Sequence, residues 1–167
     1  MSLIYIVEDD KNIREIESYA LKNSGYSVDE FESAKSFWNK VSERVPDLIL
    51  LDIMLPDSDG IDVLKKLRRN PETKKIPVVM VTAKSTEIDK VKGLDNGADD
   101  YITKPFGIME LISRVKAILR RINSMEEEKF IHLHDIFMDG DKRMVYVADE
   151  PCELTYKEFE LLKLFLQ

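Results

Sequence analysis

The sequence predicts an α/β fold, a parallel sheet covered by helices on both faces, followed by a smaller partial antiparallel sheet and the start of a helix. Continuous apolar runs such as Leu3-Ile4-Tyr5-Ile6-Val7 and Leu48-Ile49-Leu50-Leu51 have strand length and no polar face, as strands buried on both sides do. Segments with apolar residues at helical spacing lie between such runs, and strand and helix patterns alternate five times. Two of the runs end in acids, Glu8-Asp9-Asp10 and Asp52, and a parallel sheet delivers both to the edge where ligands bind in open α/β folds.

The elements follow in order. After the first strand, Ile13, Ile16 and Ala20 recur at helical spacing within a helix over 12–23, and Gly25 sits where a left-handed cap is expected. Residues 26–31 alternate, as a strand with one more exposed side does, and a helix spans 34–43. The run ending at Asp52 leads through Ile53-Met54-Leu55-Pro56 into a helix over 60–69. Residues 76–81 form a strand ending in Thr82-Ala83-Lys84, and a helix over 87–96 is closed by Gly97. The last strand of the set, 98–102, ends in Thr103-Lys104-Pro105-Phe106. A helix over 108–122 places Ile108, Leu111, Ile112, Val115, Ile118 and Leu119 on one stripe.

Residues 1–122 are thus one domain, and the polar stretch 123–129, with Glu126-Glu127-Glu128, reads as a linker. Residues 130–167 begin another domain. Short strands are expected at 130–133, 136–139, 144–147 and 151–154, with a turn over 139–142. Thr155 and Glu158 have the spacing of a capping box opening a helix at Tyr156. His132 and His134 share one side of a strand and lack a third ligand, which leaves them as surface residues.

Composition narrows the function classes. The net charge of −7 opposes a polyanionic partner for this stretch of chain. A single cysteine, Cys152, cannot form an internal disulfide, and no apolar run is long enough to span a bilayer, so a cytoplasmic protein without membrane insertion is expected. The carboxylates of Glu8, Asp9 and Asp52 would repel one another at one sheet edge, and a hard cation such as Mg2+ relieves that repulsion.

The set of Glu8-Asp9, Asp52 within Leu-Asp-Ile-Met-Leu-Pro-Asp-Ser-Asp-Gly, Thr82 within Val-Thr-Ala, and Tyr101 followed by Lys104-Pro105-Phe106 resembles the receiver domains of two-component response regulators, most of all the OmpR/PhoB-type branch. The resemblance covers roughly residues 3–122. It implies a flavodoxin-like five-stranded parallel sheet in the order 2-1-3-4-5 and makes Asp52 the acceptor of a phosphoryl group from a partner histidine kinase. It gives Mg2+ to Glu8, Asp9, Asp52 and the backbone carbonyl of Met54. Lys104 and Thr82 become donors to the phosphoryl oxygens, and Thr82 and Tyr101 the switch pair.

The same resemblance implies a homodimer face across the helix over 87–96, the last strand and the helix over 108–122. Intermolecular pairs there would join Lys90 to Glu110, Asp100 to Arg114 and Asp99 to Arg121, around apolar Ile88, Val91 and Leu94. No enzymatic turnover on small phosphomonoesters is expected. Aspartate-nucleophile phosphatases, the competing reading, carry an acid two residues after the nucleophile, where this chain has Met54. The tail, with Leu154-Thr155-Tyr156-Lys157-Glu158-Phe159, resembles the opening of the winged-helix DNA-binding domain of the same branch. The sequence stops at Gln167 before a recognition helix, so specific DNA binding is expected of a full-length protein only.

Overall fold

The computed structural model describes residues 1–83, 96–127, 130–140 and 142–166. These fall into two compact units, Met1–Leu119 and Arg120–Gln167. In the first, strands β1 (Leu3–Val7), β2 (Ser27–Phe31), β3 (Leu48–Asp52), β4 (Val78–Thr82) and β5 (Asp100–Thr103) form one sheet in the order β2-β1-β3-β4-β5. Every pairing is parallel, and the expected flavodoxin-like topology is the one observed. Helices α1 (Lys11–Asn23), α2 (Ala34–Val41), α3 (Gly60–Arg69) and α4 (Ile108–Glu127) connect or follow the strands. The expected helix over 87–96 lies outside the described residues up to Asp95, and so do Lys84, Ile88, Lys90, Val91 and Leu94.

Strands β1, β3 and β4 are buried at every residue, which explains their unbroken apolar composition. One face of the sheet presents Tyr5, Val7, Ile49, Leu51 and Met80 to Phe37 of α2 and to Leu64 and Leu67 of α3. Alternation along the strands sends Ile4, Ile6, Leu48, Leu50, Val79 and Val81 to the other face. The buried side chains of α1 and α4, among them Ala20, Leu21, Leu111 and Val115, lie outside the first cluster and cover that second face.

Local polar contacts fix where the helices begin. Asp10 caps α1 by accepting hydrogen bonds from the amides of Asn12 and Ile13, and Asp59 caps α3 through Ile61. The α2 start is held twice, by Ser33 and, from a distant segment, by Asp57, whose carboxylate accepts from the amides of Ala34 and Lys35 at 2.9 and 2.8 Å. Asp57 thereby ties the turn after β3 to α2. Gly25 and Gly97 both have the positive φ expected of cap residues.

Two expectations are corrected. Ile16, assigned to the buried stripe of α1, is 50% exposed, and the stripe is formed by Glu17, Ser18, Ala20 and Leu21. The helix expected to stop at Ile122 continues to Glu127, so 123–127 is helical and not an irregular linker. Met125, Glu126 and Glu127 are good helix formers, and propensity helps carry the helix on where apolar periodicity has ended.

In the second unit, β6 (Phe130–Leu133), β7 (Ile136–Asp139), β8 (Met144–Val147) and β9 (Glu150–Cys152) form an antiparallel sheet in sequence order, followed by α5 (Tyr156–Leu166). Its core is Met138, Val145 and Phe159. The capping box is present: the Thr155 amide donates to Glu158 Oε2 at 2.8 Å and the Glu158 amide to Thr155 Oγ1 at 3.5 Å. The final strand sits at 150–152, slightly earlier than the expected 151–154. Among the described residues, no helix is long and apolar enough to cross a membrane.

Candidate functional site

Parallel strands of similar length end at a common edge, and four of them carry the candidate residues there. Pairing aligns Val7 with Leu51, Asp52 with Val81 and Thr82 with Thr103, so Glu8, Asp52, Thr82 and Lys104 leave the sheet at nearly one level. Glu8 and Asp52 are buried and Asp9 is exposed; one carboxylate oxygen from each lies within 4.8 Å of the other two. Lys104 reaches back across the edge. Its Nζ donates to Asp52 Oδ2 at 2.6 Å and to Glu8 Oε2 at 2.5 Å. Thr82 is fully buried at the end of β4, and Tyr101 is 7% exposed, packed into the cluster on the α2 and α3 face.

The turn after β3 is folded tightly onto Asp52. Asp52 Oδ1 accepts the Met54 amide at 3.0 Å, and the Gly60 amide donates to the Ile53 carbonyl at 2.7 Å. A Cβ on Gly60 would stand 2.1 Å from the Asp52 carbonyl oxygen, so only glycine permits this approach. On the β1 side, Arg14 holds the chain after the strand by donating to the backbone carbonyls of Glu8 and Asp9 at 2.5 and 3.3 Å.

The electrostatics follow from burial and crowding. Burial pushes the Glu8 carboxyl up to about 7, with repulsion from Asp52 adding to the rise and the Lys104 hydrogen bond opposing it. Burial works against the Lys104 ammonium, but the hydrogen bonds to Asp52 and Glu8 outweigh it and raise the lysine. Three carboxylates facing one ammonium leave negative charge uncompensated. Such an all-oxygen donor set suits a hard divalent cation of the Mg2+, Ca2+ or Mn2+ kind.

A fourth acid escapes the sequence reading. Glu17 on α1 is 1% exposed, and neither of its carboxyl oxygens has a hydrogen-bond partner among the described residues. Burial pushes it up to about 8, the charges of Glu8 and Asp52 add to the rise, and Lys104 opposes it. The signal was in the spacing: Glu17 lies four residues after Ile13 and four before Leu21, on the stripe that faces the sheet.

The residues expected on a dimer face have partners inside the chain. Asp99 meets Arg68 at 3.0 Å and accepts the Val78 amide, and Arg114 bridges Asp100 and Glu110, each at 3.0 Å. Arg121 is exposed on α4, and Lys90 lies outside the described residues. His132 and His134 are exposed, as expected of surface residues.

A parallel sheet that gathers acids, a threonine and a lysine at its carboxyl edge is the architecture of a signal-receiving domain, and residues 4–116 match the family model of the response regulator receiver domain. The chain belongs to that family, in its OmpR/PhoB-type branch. It is 45% identical over 163 residues to the phosphate regulon transcriptional regulatory protein PhoB of Escherichia coli (strain K12), a match spanning 98% of this chain and 71% of that protein. Among solved structures it is similar to the response regulator DrrB of Thermotoga maritima, an OmpR/PhoB homologue, with a TM-score of 0.66 and 34% identity over 99% of this chain and 72% of that one. It is also similar to the Mn2+-bound form of the response regulator Rcp1, with a TM-score of 0.62 and 28% identity over 71% of this chain and 91% of that one.

Proposed function

We propose that this chain is the phosphorylatable switch of a two-component transcription regulator, with Asp52 taking a phosphoryl group from a partner histidine kinase. The observation that carries the reading is the geometry of Asp52: a buried carboxylate, hydrogen-bonded by Lys104 at 2.6 Å and grouped with Glu8 and Asp9. A carboxylate oxygen of Asp52 attacks the phosphorus of a phosphohistidine, the new O–P bond forms as the P–N bond breaks, and the histidine nitrogen leaves with the electron pair. Asp52 needs no general base, because a carboxylate attacks in its ionised form.

Glu8, Asp9, Asp52 and the backbone carbonyl of Met54 would hold Mg2+, which when bound would supply positive charge against the phosphoryl oxygens. The similarity to Mn2+-bound Rcp1 supports a divalent cation in this pocket. Lys104 turns from the carboxylates to a phosphoryl oxygen, and the Thr82 hydroxyl serves a second one. The expected swing of Tyr101 from outward to inward starts here from a side chain already only 7% exposed, so the movement of Thr82 biases Tyr101 toward that inward position and reshapes the surface around β5 and α4.

Phosphorylation then favours a homodimer through that surface, in which Asp99, Asp100, Glu110 and Arg114 exchange partners within the chain for partners on the second copy, joined by Lys90 and Arg121. Residues 130–166 open the winged-helix DNA-binding domain of the full-length regulator. Intact-mass analysis after incubation with acetyl phosphate and Mg2+ tests the central step. One phosphoryl mass shift is expected, abolished by EDTA and by Asp52→Asn. A shift that survives in Asp52→Asn would refute the acceptor assignment.

A further inference from the structure

We propose that Glu17 is a positioning residue of the cation pocket: a buried carboxyl on α1 that releases its proton to solvent when the pocket takes a divalent cation, and by its charge tightens the pocket's hold on the ion. The inference rests on the reading of Glu8, Asp9 and Asp52 as cation ligands and concerns a residue outside that set.

Glu17 breaks the pattern of its own helix. It occupies the buried stripe of α1, where Ala20 and Leu21 are its neighbours one turn on, and among the described residues both of its oxygens lack hydrogen-bond partners. Unpaired buried polar groups are rare, because each forfeits its solvation without return, and those that persist coincide with functional sites. The α1 helix covers the sheet face to which alternation also directs Glu8 and Asp52, so buried Glu17 shares that face with both acids.

The charged groups that act on it identify its coupling. Among the described elements, β1 contributes Glu8, β3 contributes Asp52 and the turn after β5 contributes Lys104, while the buried residues of α4, Leu111, Val115, Ile118 and Leu119, are apolar. In the cation-free pocket burial above all, with the charges of Glu8 and Asp52 adding to it, holds the Glu17 carboxyl well above the usual range of a glutamate, and the one ammonium does not offset them. Two positive charges added to that pocket offset the negative charge that acts on Glu17 and favour its ionised form. Linkage is reciprocal, so an ionised Glu17 favours the cation to the same extent.

Lys104 gives the coupling a second consequence. When the cation satisfies Glu8 and Asp52, the ammonium that had bridged them is released, and an ionised Glu17 retains attraction for it from the protein side. A neutral side chain at position 17 leaves Lys104 without that restraint.

The test is Mg2+ binding to the whole chain, followed by calorimetry at about pH 6 and about pH 9 for the parent, Glu17→Gln and Glu17→Leu; the two variants guard against a folding defect peculiar to either. At the higher pH the parent should bind Mg2+ on the order of tenfold more tightly than both variants, within the usual range of intersite coupling, and the three should converge at the lower pH. Difference infrared spectra of the parent at about pH 8, where Glu8 is mostly ionised, should show a protonated-carboxyl band that shrinks on addition of Mg2+, and that change should be missing in Glu17→Gln, a signature that a purely structural role does not produce. Equal Mg2+ affinities in parent and variants at both pH values, or a Glu17 carboxyl band that persists with Mg2+, would overturn this proposal alone. A parent protein that binds no Mg2+ would overturn the cation pocket itself and this proposal with it.

Discussion

Replacing Glu17 tests how heavily the buried acid weighs on the fold. Its carboxyl titrates near 8 in the folded chain against an ordinary value of 4.5. Between those values the unfolded chain ionises it and the folded chain does not, so the unfolded state gains about 1.4 kcal/mol per pH unit. The sign is that of a carboxyl raised on folding: stability is greatest at or below about pH 4.5, falls as pH rises and levels off above about 8. By pH 7 the loss is about 3 kcal/mol and by pH 9 about 5 kcal/mol, large against a typical total of about 5–15 kcal/mol.

Glu17→Gln keeps the shape and removes the titration, and Glu17→Leu also removes the unpaired polar atoms. Urea unfolding at several pH values can be followed through Trp38, the only tryptophan, which packs against the core of the sheet unit. The stability of each variant relative to the parent should rise steadily from about pH 5 to about pH 9, by about 4 kcal/mol over that span. Contributions from Glu8 and other acids largely cancel in the difference. A difference that stays flat with pH would show that Glu17 ionises as freely in the folded chain as in the unfolded one.

Gly60→Ala should destabilise the sheet unit by at least ~2 kcal/mol and slow phosphorylation from acetyl phosphate, because the added Cβ collides with the backbone of Asp52; unchanged urea midpoints would contradict the tight turn. Arg68→Met removes the donor to the carbonyls of Lys74, Ile76 and Gly97 and the partner of Asp99, and should cost about 2–3 kcal/mol in thermal or urea unfolding. Lys104→Met takes the ammonium from between Glu8 and Asp52, so at about pH 9 it should bind Mg2+ more tightly than the parent by calorimetry while accepting phosphate more slowly. In sedimentation with a beryllofluoride phosphate mimic, Arg114→Glu should weaken a concentration-dependent dimer and Asp100→Arg added to it should restore part of the association, since the swapped pair re-forms within and between chains.

The strands were legible because burial on both faces leaves so few side chains to choose from. Val7, Leu51 and Val81 sit in runs with no polar interruption, and Asp52 and Thr82 are the last residues of their strands while Glu8 follows the last of its own. Lys104 was legible from its place after the last strand, although its contacts with acids far away in sequence were not. Contacts of that kind escape a local reading in general. Asp57 caps α2 from the turn after β3, and nothing near Ala34 in the sequence reveals it.

Glu17 shows the limit from the other side. Counting only apolar residues along α1 selects Ile13, Ile16 and Ala20, a stripe that leaves the acid at its margin. Moving the stripe by a single position brings Glu17 inward and Ile16 outward, and the two choices differ by one unfavourable burial. A sequence pattern decides against such a burial because the pattern weighs each residue by its average cost. The fold decides for it because Ala20 and Leu21 fix the helix face, and rotating the helix to free Glu17 would expose Leu21, which is fully buried. The carboxyl is therefore carried inward by its neighbours, and the cost of its burial is smallest in the protonated form. That is why the one acid the pattern missed is also the one whose charge state depends most on what the pocket in front of it contains.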